Sequence, residues 1–130
     1  MIETARGLNY VMGIDASKNR FRVKFFGDLT DPNENKDIPA NVRDACSKLT
    51  AGFTCLADFT EVGLLGLPDI ARQVQEALVE AQVRKVASVW SKEGFAKIVV
   101  QRSAEQTTGS YTEKRKVFSD LVEAEAWLNS

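Results

Sequence analysis

Few side chains in this sequence can do proton or metal chemistry. It contains no histidine, which removes the commonest general base, the commonest zinc ligand and the usual pH switch together. Such work falls to carboxylates, lysines, tyrosines and two cysteines, Cys46 and Cys55. The cysteines lie nine positions apart, outside the spacing of zinc knuckles and dithiol redox sites. Both stand in apolar surroundings and read as small hydrophobes of a reduced chain rather than as nucleophiles. The polar group of most interest is Asp58-Phe59-Thr60-Glu61, at the end of an apolar run that reads as a central strand, where ligands and partners dock in open parallel sheets. No base stands beside it to activate a nucleophile. The alternative is local: Asp58 accepts from amides of its own loop and Thr60 shapes a turn.

The next residues, Val62-Gly63-Leu64-Leu65-Gly66-Leu67, form an apolar run before Pro68 and Asp69. Such a loop presents aliphatics to a partner protein, to a second copy of the chain or to a small apolar ligand, or it folds over the core. Its glycines make no nucleotide loop, because the lysine and hydroxyl of a phosphate-binding loop and the spacing of a dinucleotide loop are missing. Arg20, Arg22 and Lys24 alternate with Phe21, Val23 and Phe25. On a two-residue period the phenylalanines point away from the cations, which predicts a solvated sheet face rather than a nucleic-acid surface. Glu123 and Glu125 read as solvent charges. Asp58, Thr60, Glu61, Leu64, Leu65, Leu67 and Asp69 are therefore the candidate binding residues, with no catalytic or metal-ligating set and no cofactor expected.

The elements that must position these residues follow from periodicity. Leu8 to Ile14 and Arg20 to Phe25 alternate and predict an antiparallel hairpin across the polar turn 15–19. Thr30-Asp31-Pro32 starts a helical turn, and a main helix runs from about Pro39 to Leu49 with Ile38, Val42, Ala45 and Cys46 inward and Gly52 beyond its end. Phe53 to Phe59 reads as a strand buried on both faces. Leu67, Ile70, Ala71, Val74, Ala77, Leu78 and Ala81 repeat three and four apart, the clearest helix of the chain, opened by Pro68. Val86 to Trp90 is a further buried strand, and the strand, helix, strand order implies a parallel crossover. Ser91 to Thr108 is read as helix, with a hairpin at Lys92-Glu93-Gly94 as the alternative. A polar loop at 106–110, a short strand at 116–118 and a last helix capped by Ser119, with Leu121, Ala124, Trp127 and Leu128 inward, complete the chain.

Bulk properties bound the rest. The sequence has 130 residues, 44% of them hydrophobic and 27% charged, with 17 basic against 18 acidic side chains. That is one α/β domain able to hold a core without metals or disulfides. Near-neutral charge gives no field toward nucleic acid or an acidic membrane. The opening Met1 to Arg6 has no apolar signal core and no run of about eighteen apolar residues occurs, so a cytoplasmic protein without a membrane span is expected.

Three stretches carry a family resemblance: Thr54-Cys55-Leu56-Ala57-Asp58-Phe59-Thr60, Val83-Arg84-Lys85-Val86-Ala87, and Val117-Phe118-Ser119 through Glu123-Ala124-Glu125-Ala126-Trp127-Leu128. With the order of elements, they make nearly the whole chain resemble the SpoIIAA-like, or STAS-like, group of small bacterial domains. The resemblance implies a mixed sheet of four to five strands with an N-terminal hairpin and about four helices packed mainly on one face. It favours helix for 91–108. Well-understood relatives are anti-sigma-factor antagonists, phosphorylated by a partner kinase in an Asp-Ser-Ser-Gly motif before the second helix. The matching stretch here, Gly63 to Pro68, has no hydroxyl, and a phosphate would need Thr60 instead. The fold is also similar to the lipid-binding CRAL-TRIO type. The combined expectation is a non-enzymatic binding or regulatory domain, acting on a protein partner or as a homodimer through residues 58–69, with carriage of a small apolar or lipid ligand as the alternative.

Overall fold

The computed structural model describes residues 1–91 and 111–130. Six strands form one sheet in sequence order: β1 (Ile2–Arg6), β2 (Tyr10–Asp15), β3 (Arg20–Leu29), β4 (Thr54–Leu65), β5 (Lys85–Val89) and β6 (Arg115–Phe118). The first three pair antiparallel, and β3 through β6 pair parallel. Among the described residues four helices lie between and after them: α1 (Ile38–Ser47), α2 (Pro68–Glu80), α3 (Tyr111–Lys114) and α4 (Leu121–Leu128). The expected hairpin, central strand and crossover are all present. The sheet has six strands rather than four or five, because β1, which has no apolar alternation of its own, adds to β2 at the edge. The helix expected over 91–108 and the loop over 106–110 lie outside the described residues.

Strand alternation sorts the core into two layers. Met12, Phe21, Val23, Cys55 and Val86 pack with Ile38, Val42 and Cys46 of α1 and Ala77 and Leu78 of α2 in the main core. On the opposite face Leu56, Ala87 and Val89 pack under Ala124 and Leu128 of α4. Fully buried side chains such as Phe21 and Val42 contribute about 1.5–3 kcal/mol each. Both cysteines are buried and unpaired within that core, as expected of small hydrophobes.

The basic stripe departs from expectation. Arg20 is 1% exposed: its Nε donates to Thr54 Oγ1 at 2.9 Å, Nη1 to Glu125 Oε2 at 2.5 Å and Nη2 to Asn129 Oδ1 at 2.8 Å. Arg22 reaches the other Glu125 oxygen at 2.5 Å. The face read as solvated is therefore roofed at this end by α4, and Glu125, read as a solvent charge, is its ionic anchor. The cap of α4 differs too. Asp120, not Ser119, is the N-cap, its Oδ1 accepting from the Val122 amide at 2.8 Å.

Candidate functional site

The stretch expected to loop from Asp58 to Leu67 is mostly strand. β4 continues to Leu65 because β3 also runs on, to Leu29, and pairs with it through Phe26 opposite Glu61, Gly27 opposite Val62 and Leu29 opposite Leu65. Gly27, at φ +71°, supplies a left-handed backbone within this irregular stretch, a conformation open to glycine at little steric cost.

Strand geometry divides the candidate residues. Asp58 follows Leu56 on the α4 face, opposite Lys24 in register, and Glu61 forms an ion pair with Lys24. That pair, chiefly the hydrogen bond, holds the Lys24 ammonium pKa above its ordinary value. One Asp58 oxygen accepts both the Thr60 amide, at 2.8 Å, and the Thr60 hydroxyl, at 2.6 Å, which is the local turn of the alternative reading. Leu64 is 58% exposed at the outer end of β4, where its amide donates to Asp28 Oδ1 at 2.9 Å. Leu65 and Leu67 turn inward and are buried, and Asp69 is exposed in the first turn of α2. The seven residues are thus not one surface. Asp58 and Thr60 bond to each other, Glu61 to Lys24 and Asp69 to Arg72 at 3.6 Å, and only Leu65 and Leu67 share a site.

That site is a cavity of about 70 Å³ between the sheet and α2. Val23, Phe25 and Leu29 of β3 and Ala57, Phe59 and Leu65 of β4 form its floor and one side. Leu67 and, from α2, Ile70, Ala71 and Val74 close it above. It lies toward the carboxyl ends of parallel strands, the place where open α/β sheets take ligands. Phe25 of β3, Phe59 of β4 and Trp90, just past the end of β5, stack in succession, with centroids 5.2 Å and 4.2 Å apart. Three polar side chains reach an otherwise apolar wall: Gln75 from α2, Ser88 from β5 and Tyr111 from α3, all buried. None of the described lining residues is charged.

Sequence reasoning found Leu65, Leu67, Ile70, Ala71 and Val74 but not the polar groups. Two of these had a signal. Ser88 is a hydroxyl inside a strand otherwise buried on both faces, and Gln75 stands four residues after Ala71 and three before Leu78, on the inward stripe of α2. Tyr111 had none, since the chain brings it to β5 only through tertiary packing. The remaining nucleophile candidates are the thiols, and burial raises both: Cys46 is pushed up to about 12, and Cys55 lies well above its ordinary value. They stay protonated and unreactive near neutrality. No group of three or more acidic or cysteine side chains among the described residues is arranged to hold a metal, and no helix among them is long and apolar enough to cross a membrane.

No family model matches the sequence, and no curated protein matches it. Among solved structures, the chain is similar to the crystal structure of an uncharacterized protein from the DUF3478 family with a SpoIIAA-like fold, from Shewanella loihica PV-4. The two share 21% of their residues over 95% of this chain and 98% of the other, with a TM-score of 0.60. The fold is SpoIIAA-like, as the sequence resemblance implies.

Proposed function

We propose that this SpoIIAA-like domain works by binding rather than by catalysis, and that its ligand is a small, largely apolar molecule seated between α2 and strands β3 to β5. The observation that carries this reading is a cavity whose described lining is uncharged, mostly aliphatic and aromatic, and reached by a few buried polar groups, the composition of small-molecule sites generally. Its size limits the ligand. Sites for drug-sized molecules run from about 300 Å³ upward, and an engineered apolar cavity of about 150 Å³ takes benzene. At about 70 Å³ the present space suits a ligand of a few heavy atoms, and a long-chain lipid would require α2 to move outward. The inert thiols agree with a binding role. Native mass spectrometry of protein purified gently from its own host tests it. A small noncovalent mass on the wild type, lost from a folded Ala71→Phe variant whose ring fills the space, is the expected result. The bare chain in both would overturn the reading.

A second reading, association with a protein or with a second copy, draws on Leu8, 66% exposed, and Leu64, 58% exposed. Both flank the outer end of β3: Asn9, beside Leu8, bonds the Phe26 backbone, and the Leu64 amide bonds Asp28. The same spectra test it, because a dimer abolished by Leu64→Asp supports it and a monomer at every concentration refutes it.

A further inference from the structure

Resting on the cavity reading, we infer that the ligand is uncharged and carries a hydrogen-bond acceptor, a carbonyl oxygen above all, which the hydroxyls of Ser88 and Tyr111 grasp. Ser88 is 1% exposed and Tyr111 4% exposed, and both line the cavity. Among the described residues, these two supply the only hydroxyls of an otherwise mostly apolar wall. A hydroxyl held in an apolar enclosure without a partner is costly, and each of these brings one proton to donate. Among the described lining residues none is an anion that would compete for the acceptor role and none is a cation that would favour a carboxylate or phosphate. Burial also raises the Tyr111 phenol well beyond its ordinary range, with Cys55 adding to the effect. The phenol is therefore a neutral donor throughout the physiological range. A carbonyl oxygen has two lone pairs and can accept from one hydroxyl or from both, while its alkyl portion lies against Leu65, Leu67, Ile70 and Val74.

The elements agree with this assignment. Ser88 is the residue of β5 opposite Ala57, itself in the cavity wall. Tyr111 opens α3 directly before β6, which pairs with β5. The donors thus come from one end of the cavity and the aliphatic lid from another, so a ligand with one polar and one apolar end has a defined orientation.

The test is a matched pair of probes within the size limit of the cavity, acetone and propane, titrated into the full chain and read by methyl and aromatic NMR shifts. Transfer from water penalises the ketone relative to the hydrocarbon unless its oxygen is bonded inside. The expected result is that acetone binds at least as tightly as propane. Ser88→Ala and Tyr111→Phe should each weaken the ketone up to about tenfold and leave propane unchanged. Both substitutions delete only an oxygen, and unchanged thermal unfolding would show that the fold is intact. If propane binds but acetone is weaker and indifferent to both substitutions, the inference falls while the apolar cavity stands, the hydroxyls then serving water or the fold alone. If neither probe binds, the cavity reading itself fails.

Discussion

Arg20 and Cys46 are both buried, and opposite means keep them so. The guanidinium remains charged because every donating edge has a partner in Thr54, Glu125 or Asn129. Desolvation still lowers its pKa, against the opposing pull of Glu125. Removing one partner of such a group strands a charge, so Glu125→Ala should lower stability by about 2 kcal/mol in urea titrations, the 25% exposure of the Glu125 side chain keeping the loss below that of a fully buried pair. The double replacement Arg20→Met with Glu125→Leu should recover most of that loss. Cys46 is held neutral by burial alone, its thiol raised from 9.0 to about 12. The folded state therefore keeps the proton more tightly than the unfolded chain. Its contribution to stability is whole below pH 9 and is lost as pH rises toward 12. The guanidinium midpoint should decline across that interval, and less steeply in Cys46→Ala. In the same residues lies the limit of reading charge from pattern: alternation placed Arg20 opposite the phenylalanines correctly, but only tertiary packing brings α4 over it.

At the scale of elements, caps and strand ends decide the outcome. Asp120 and Ser119 are both good capping residues, and the Asp120 side chain is the one bonded to the Val122 amide. Asp120→Ala should cost about 1 kcal/mol and Ser119→Ala less than about 0.5 kcal/mol by chemical denaturation. Helices α1 and α2 and the hairpin of β2 and β3 were legible because their apolar periods are strong over many residues. β1 was not, since Ile2-Glu3-Thr4-Ala5-Arg6 has no alternation and becomes a strand by pairing with β2 through an irregular register. The outer half of β4 resembled a loop for a related reason. Gly63 and Gly66 are turn signals in isolation, and the long β3 that pairs with this segment overrides most of that signal. Half of the candidate site was legible for the same cause: the aliphatics of 65–74 declare themselves by spacing, whereas Ser88 and Tyr111 join them only because β5 and β6 are neighbours. Asp58 and Glu61, adjacent to those aliphatics in sequence, fall on the other face of the sheet.

The whole molecule is a six-stranded sheet with unlike sides, a thick layer holding α1 and α2 and a thinner one formed by α4 with its ionic anchor. The ionic network and the cavity occupy different parts of this plan. The Arg20 and Glu125 network lies on the α4 face, and the cavity lies on the other, under α2. Substitutions in the network should therefore change unfolding without changing probe affinity, and Ser88→Ala the reverse, since sites without shared partners behave independently. The most direct test of the central claim, that the space under α2 receives an apolar guest, is the methyl NMR spectrum in xenon-saturated buffer, xenon being a small neutral filler of apolar cavities. The account predicts shifts at the methyls of Leu65, Leu67, Ile70 and Val74, abolished in Ala71→Phe, while Val42 and Leu128 stay still. Methyls that do not move, or that move equally throughout the core, would contradict it.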